Sequence, residues 1–207
     1  MLIRLLALLL AFTLHEFAHA LASYCLGDRS QSCHNRLTIN PLAHIDWMGL
    51  LCLFAFGFGW GKPVSVDPRY YKDPKSGMMW TAFAGPVMNF ILSFVCVFLY
   101  YVILAFLPGF AYASLGSFII DLLAQTAYLS MGLGIFNCIP IPPLDGSKVF
   151  FYFLDDEKYF KVIQGSPMIS LVFVFVLMSG IISAPIMNLE NTMIGVFSKI
   201  SFAILGL

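Results

Sequence analysis

The chain has 207 residues, of which 60% are hydrophobic and 11% are charged, whereas charged residues make up about a quarter of a typical soluble domain. Its mean hydropathy of +0.88 excludes an ordinary soluble domain and predicts an integral protein of the lipid bilayer. Eleven Lys and Arg residues balance eleven Asp and Glu residues, so the charge indicates no nucleic-acid partner.

The chain begins with an apolar run from about residue 2 to residue 26, which is long enough to cross about 30 Å of hydrocarbon. A basic residue, Arg4, precedes most of this run, as in a signal peptide. However, the run continues into the segment His15-Glu16-Phe17-Ala18-His19, which a cleaved leader does not need. We therefore predict a retained membrane helix.

Further apolar runs predict membrane crossings at about residues 78 to 107, 117 to 139 and 168 to 187, and a shorter apolar tail covers residues 192 to 207. The run from Trp47 to Trp60 is too short to cross and reads as a re-entrant segment. An alternating stretch, residues 35 to 41, predicts a strand or a small β-hairpin.

Together these elements predict an all-α polytopic membrane protein with about four to five transmembrane helices, a small β-hairpin and a re-entrant segment near the active site. No repeat or flexible linker divides the sequence. We therefore expect a single domain over residues 1–207, with a catalytic core over about residues 1–150.

The basic residues predict the orientation of these crossings. If the run from Trp47 to Trp60 does not cross, one side of the membrane carries six basic residues before the second crossing and three after the third. That side should be cytoplasmic. These residues are Arg29, Arg36, Lys62, Arg69, Lys72 and Lys75, followed by Lys148, Lys158 and Lys161.

The first helix carries the pattern H-E-x-x-H, in which His15 and His19 lie one turn apart on one face with Glu16 beside them. Ionisable side chains at this depth are costly, so their presence indicates a function. The pattern predicts a metal site with two histidine ligands. Histidines that only pair structurally near a helix end are the alternative.

A catalytic zinc site needs a third protein ligand and one open position. Asp145 is the best candidate because it follows an apolar helix in a proline-rich segment, which cannot continue the helix and can line a cavity. An ordinary surface turn would have the same sequence features. His44 is the main rival ligand, and Asp46, Asp121 and His34 are weaker ones.

These motifs resemble the site-2 protease family of intramembrane zinc metalloproteases, in its compact bacterial branch without a PDZ domain. The resemblance rests on the segments His15 to His19, Ala84 to Asn89 and Asn137 to Gly146. The stretches Leu37 to Asp46 and Gly59 to Val64 add to it. One departure is that Trp47 and Met48 follow Asp46 where the family pattern has a Pro-containing turn.

The resemblance implies that His15, His19 and Asp145 bind one zinc ion and that Glu16 is the general base for hydrolysis of peptide bonds in transmembrane substrates. It further implies that Asn89 and Asn137 face the cavity and hold the substrate or the oxyanion; interhelical hydrogen bonding is the alternative for both. A bacterial plasma membrane, with the active site opening toward the cytoplasm, is the expected location. The sequence predicts no oligomeric state.

A non-hydrolytic membrane protein, such as a metal-binding scaffold or a transporter, could use the same histidines. Transporters usually show repeated helical units and paired ionisable residues along a path, and this sequence has neither. The presence of Glu16 between the two histidines favours catalysis.

Overall fold

A computed structural model describes residues 1–30, 37–56, 61–62, 64 and 67–207. All the regular secondary structure of these residues is helical, and they contain no strand. The helices are α1 (Leu2–Cys25), α2 (Trp47–Phe56), α3 (Pro74–Phe106), α4 (Pro108–Ala111), α5 (Ser114–Asn137), α6 (Asp145–Phe150), α7 (Asp156–Ile163), α8 (Pro167–Met178) and α9 (Ser183–Leu205).

Three of the helices in the described part of the chain, α1, α3 and α5, are long and apolar enough to cross a membrane. They have 24, 33 and 24 residues, which at about 1.5 Å per residue exceeds the thickness of the hydrocarbon layer. Each covers one of the crossings predicted near residues 2–26, 78–107 and 117–139. The chain is therefore an integral membrane protein.

The three long helices pack against one another, and α9 packs against α3 and α5. Small side chains allow α1 to approach its neighbours closely, since Ala7, Ala11 and Ala20 are fully buried. A cluster of apolar side chains fills the space between α3, α5 and α9; its buried members are Cys96, Val97, Ala127, Met131, Ile135 and Ile194.

The predicted crossing at residues 168–187 is not one continuous helix. α8 has only 12 residues, about 18 Å, and it ends before a turn in which Gly180 adopts a φ of +74°. α9 then begins at Ser183 and covers the apolar tail predicted at residues 192–207 as far as Leu205. The total of four to five crossings therefore stays a prediction.

The predicted β-hairpin at residues 35–41 is not found in the described part of this segment. Residues 37–40 form no strand, and residues 35 and 36 lie outside the described residues. The side chain of Asn40 accepts a hydrogen bond from the Leu42 amide at 3.1 Å, which starts a short 3₁₀ turn over Pro41–Ala43. Local capping therefore replaces strand pairing at this point.

The segment predicted to be re-entrant begins as α2, a helix of ten residues. At about 15 Å it is too short to cross the hydrocarbon layer, as expected. Asp46 caps its start by accepting hydrogen bonds from the amides of Met48 and Gly49 at 2.9 and 3.0 Å. Residues 57–60 lie outside the described residues.

Candidate metal centre

His15, Glu16 and His19 lie on the buried side of α1, at the contact with α3 and α5. Their side chains are almost inaccessible, with exposed fractions of 3%, 7% and 7%. The helical spacing of four residues brings Nε2 of His15 to 3.0 Å from Nε2 of His19. The sequence pattern therefore produces a pair of imidazole nitrogens that face one point.

Asp145 is distant from the two histidines in sequence but lies beside them in the structure. The proline-rich segment after α5 turns the backbone, and a cis peptide bond precedes Pro143. Asp145 then begins α6 with its Oδ2 atom 3.3 Å from Nε2 of His15 and 3.0 Å from Nε2 of His19. Among the described residues, these three form the one group of His, Cys, Asp and Glu side chains with the spacing of a metal site.

The three ligand atoms fit a tetrahedral metal ion. Two nitrogens and one oxygen at about 2.0–2.1 Å from a tetrahedral zinc would lie about 3.3 Å apart, close to the observed 3.0–3.3 Å. Three lone-pair acceptors that face one another would also repel unless a cation or shared protons lay among them. Two imidazoles and one carboxylate, with a fourth position open, is the ligand set of catalytic zinc sites.

Each candidate ligand has a further hydrogen-bonding partner. Nδ1 of His19 lies 2.7 Å from the carbonyl oxygen of Thr81, to which it donates. The side-chain amide of Asn89 lies 3.0 Å from Nδ1 of His15. Nζ of Lys148 lies 3.2 Å from Oδ1 of Asp145, the carboxylate oxygen that faces away from His19. Such partners fix the orientation of metal-binding side chains.

The electrostatic surroundings keep Asp145 ionised. Burial raises the pKa of its carboxyl group, but the adjacent His19 and His15 imidazoles and the Lys148 ammonium outweigh burial and hold the pKa well below its usual range. A carboxylate that is ionised at neutral pH is ready to bind a cation.

The carboxylate of Glu16 is held beside the three ligands. Its Oε2 atom accepts a hydrogen bond from the backbone amide of Val64 at 3.0 Å. Glu16, His15, His19 and Asp145 all line a cavity of about 500 Å³. The remaining walls are mostly apolar and come from α1, α3, α5 and α8, with Lys148 as a further charged member.

The two asparagines occupy different places. Asn137 lines the cavity, and its Nδ2 donates to the carbonyl oxygen of Leu133 at 3.0 Å, which leaves its Oδ1 available. Asn89 is fully buried against His15 and Ser130 and is not part of the cavity wall. The structure thus brings both near the candidate ligands but only Asn137 to the cavity.

The rival ligands lie elsewhere in the described structure. His44 is fully buried, and its Nε2 donates to the carbonyl oxygen of Thr38 at 2.9 Å. Asp46 caps α2, and Asp121 is exposed on α5. His34 lies outside the described residues.

The structure adds contacts at this site that the sequence did not assign. Gly85 lies in the segment Ala84 to Asn89, on which the resemblance rests, but its contact with the histidines was not predicted. Gly85 packs so closely on the histidines that a Cβ atom there would lie 2.4 Å from Nε2 of His19 and 2.7 Å from Cε1 of His15. Thr81, Ser130 and Lys148 were missed as well. Of these three, only Lys148 left a signal, because a basic residue one turn after an aspartate on a helix can reach its carboxylate.

The model of the family described as "Peptidase family M50" matches residues 3–179, which include all the candidate ligands, Glu16 and both asparagines. This chain belongs to peptidase family M50. Membership agrees with the resemblance noted from the motifs, since this is the site-2 protease family.

Two curated proteins resemble this M50 chain. One is "Putative zinc metalloprotease YwhC" of Bacillus subtilis, which is 36% identical over 69% of the chain and 64% of its own length. The other is "Putative zinc metalloprotease Rip2" of Mycobacterium tuberculosis, which is 29% identical over 82% of the chain and 63% of its own length. The M50 chain therefore spans less than two thirds of either relative. No solved structure matches it.

Proposed function

We propose that this chain is an intramembrane zinc metalloprotease. It binds one zinc ion with His15, His19 and Asp145, and it hydrolyses peptide bonds in the transmembrane segments of protein substrates with Glu16 as general base. The observation that carries the proposal is the approach of three ligand atoms to within 3.3 Å of one another, beside a buried carboxylate, in a cavity between membrane helices. The M50 family and the names of the two relatives support both zinc and proteolysis.

Zinc bound at this site would supply Lewis acidity, which polarises a substrate carbonyl and makes a water molecule more acidic. Glu16 takes the proton from the attacking water while the water oxygen bonds to the carbonyl carbon. When the carbon–nitrogen bond breaks, Glu16 gives the same proton to the leaving amine. The Val64 amide, which donates to Oε2 at 3.0 Å, keeps the carboxylate in one orientation during both transfers.

Asn137 is the side chain best placed to meet the substrate backbone. It lines the cavity, and its Nδ2 is already engaged by Leu133, so its free Oδ1 can accept a hydrogen bond from a substrate amide. A neutral acceptor adds no charge to a cavity inside the membrane. The second N–H of Nδ2 is also unengaged, so Asn137 can either accept from a substrate amide or donate to the developing oxyanion.

The substrate has to unwind at the cleavage site, because the carbonyl groups of an intact transmembrane helix are bonded to its own amides. α8 contributes Phe173, Val174 and Leu177 to the cavity wall. In the described part of the chain α8 packs only weakly on the other helices, whereas α1, α3 and α5 pack closely on one another, so α8 can move with little loss of packing. We place substrate entry on the α8 side.

The distribution of basic residues supports a cytoplasmic opening of the site. The end of α1 that carries His19 leads into a segment with Arg29, Lys62, Arg69 and Lys72, and the positive-inside rule places such segments in the cytoplasm. A bacterial plasma membrane is the location that we propose, with residues 1–207 acting as one catalytic domain.

The test compares the native chain with Glu16→Gln and Asp145→Ala in detergent. Zinc content is measured by mass spectrometry of the metal, and activity by cleavage of a model transmembrane substrate. We expect Glu16→Gln to retain zinc and to lose cleavage by at least about 10²-fold, the usual contribution of a general base. Asp145→Ala should lose both zinc and cleavage.

Glu157→Gln is the matched control, because Glu157 is exposed on α7 and is not part of the cavity wall. It should behave as the native chain does. If the native chain binds zinc but Glu16→Gln leaves cleavage unchanged, the protease assignment is wrong and a metal-binding scaffold or transporter takes its place.

A further inference from the structure

Asn89 lies between two other fully or almost fully buried polar side chains, His15 on α1 and Ser130 on α5. The exposed fractions of Asn89 and Ser130 are both 0% and that of His15 is 3%. One end of the Asn89 amide lies 3.0 Å from Nδ1 of His15 and the other end lies 3.3 Å from Oγ of Ser130. The same Oγ lies 2.9 Å from the backbone carbonyl oxygen of Asn89.

The hydroxyl of Ser130 has one proton and therefore one strong hydrogen bond to donate. The backbone carbonyl of Asn89 can only accept, and it is the nearer partner at 2.9 Å, so the proton goes there. Oγ also lies 3.3 Å from the side-chain amide of Asn89. Because its proton is already used, Oγ can only accept there, so the amide atom that faces it has to be the nitrogen. The two ends of an amide are nearly equal in size, so this hydrogen-bond pattern decides between them.

The structure has Nδ2 of Asn89 toward Nδ1 of His15 and Oδ1 toward Ser130, and this hydrogen-bond pattern requires the amide to be turned over, so that the oxygen faces His15. An oxygen accepts the proton of Nδ1–H and thereby selects the histidine tautomer whose Nε2 carries a lone pair. Nε2 is the atom that points at His19 and Asp145. If the amide nitrogen of Asn89 faced His15, it would donate to Nδ1. The imidazole proton would then lie on Nε2, and Nε2 could not bind a metal.

We propose that Ser130 and Asn89 are positioning residues that act in series on the first candidate zinc ligand. Ser130 fixes the orientation of the Asn89 amide, and the Asn89 oxygen fixes the tautomer and the ring plane of His15. Asn89 is thus a partner of the ligand, which differs from a role in holding substrate or oxyanion. The proposal rests on the proposed function in so far as His15 is a zinc ligand.

The first measurement is the tautomer of His15 in the metal-free chain. Two-bond proton–nitrogen correlations of the chain with ¹⁵N-labelled histidine separate the two neutral tautomers, and His15→Gln assigns the signal. We expect the Nδ1–H form in the native chain and a mixture of both forms in Ser130→Ala. An Nε2–H form in the native chain would overturn the proposal.

The second measurement is zinc affinity, by competition with a coloured chelator. Loss of a partner of a metal-bound histidine typically weakens binding by about 10- to 100-fold. We expect a loss of this size in Asn89→Leu and a smaller loss in Ser130→Ala. Asn89→Asp supplies an acceptor oxygen in either orientation, so it should hold zinc within about threefold of the native affinity or more tightly.

Ser93→Ala is the matched control for Ser130→Ala. Ser93 is also fully buried, and its hydroxyl donates across the same α3–α5 contact to the carbonyl oxygen of Ala127 at 2.8 Å. In the described part of the chain it forms no hydrogen bond with the candidate ligands, so the variant should leave zinc affinity and the His15 tautomer unchanged. A purely structural role for Ser130 predicts the same result for both serine variants and would contradict the proposal.

These outcomes are separate from those of the protease test. If Asn89→Leu does not fold, Ser130→Ala and Asn89→Asp still decide the matter. If the native chain shows the Nδ1–H form and the zinc affinities follow the expected order but no substrate is cleaved, the positioning roles stand and the proposed hydrolysis fails. If cleavage depends on Glu16 but zinc affinity is the same in Ser130→Ala as in the native chain, only the positioning proposal fails.

Discussion

Gly85 is where the backbone of α3 meets the two imidazole rings of α1. A methyl group at this position would lie 2.4 Å from Nε2 of His19 and 2.7 Å from Cε1 of His15, far inside normal contact distances. Neither ring can withdraw freely, because Thr81 holds one and the Asn89 amide holds the other. Gly85 is therefore required by the close approach of α3 to the histidines.

We predict that Gly85→Ala displaces at least one imidazole ring and lowers zinc binding at least about tenfold, the scale of a misplaced metal ligand. The chain should still fold, since alanine is the better residue within a helix. Zinc content after dialysis against a weak chelator measures the effect. Gly195→Ala is the control: it lies in α9 with open space around its Cβ position, and it should keep zinc and gain slight stability. Native zinc binding in Gly85→Ala would show that the contact relaxes without moving the rings.

At the level of residues, the sequence predicted those whose chemistry has a local pattern. His15, Glu16 and His19 follow from helical spacing, and Asp145 follows from the need for a third ligand near the same side of the membrane. Contacts between distant elements have no such pattern. Ser130 has its role because α5 packs against α3, which nothing in its own sequence neighbourhood indicates. Gly85 lies in a segment that the resemblance singled out, but its contact with the two rings depends on how α3 packs against α1.

At the level of elements, α3, which carries Thr81, Gly85 and Asn89, begins with a side-chain cap. Asp73 caps this helix, accepting hydrogen bonds from the amides of Lys75 and Ser76 at 3.1 and 3.3 Å. Pro74 occupies the first helical position, where its lack of an amide proton costs nothing. This cap explains why α3 begins four residues before the predicted crossing.

We predict that Asp73→Ala lowers the free energy of unfolding by about 1 kcal/mol, the usual effect of losing a side-chain cap. Asp73→Asn should retain most of the stability, because its side-chain oxygen can accept the same hydrogen bonds. Denaturation in mixed micelles, followed by circular dichroism, measures the change. Asp155→Ala is the control, since Asp155 precedes α7 without a side-chain cap and forms an exposed ion pair with Lys158. Equal losses in Asp73→Ala and Asp155→Ala would contradict the capping role.

The sequence predicted the elements that depend on a long apolar composition. It predicted poorly those whose ends are set by local turns. Long apolar runs gave α1, α3 and α5, because only helices satisfy the backbone inside a bilayer. The run at residues 168–187 has similar hydropathy, yet it breaks at Gly180, whose left-handed φ ends α8. Alternating residues near 37–40 suggested a strand, but the Asn40 side chain and Pro41 start a turn there instead.

At the level of the whole molecule, the packing of α9 indicates its direction through the bundle. Phe197 meets Phe94 with ring centroids 5.3 Å apart, and Phe202 meets Tyr101 at 4.4 Å. Residue numbers thus rise together along α9 and α3, so the two helices run parallel. α3 ends at the turn before α5, on the side opposite the basic segments, and the end of α9 lies beside it.

We predict from this packing that α9 crosses the membrane and brings Leu207 to the external side. Its charged residues are Glu190 and Lys199, which 23 residues of helix can accommodate when α3 and α5 cover one face. The measurement places a site for a specific protease either in the turn at Gly165 or after Leu207, and then treats sealed membrane vesicles of each orientation. The Gly165 site should be cut only from the cytoplasmic face and the Leu207 site only from the external face. Cleavage of both sites from one face would mean that α9 enters and leaves on the same side, and that α1, α3 and α5 alone anchor the catalytic core.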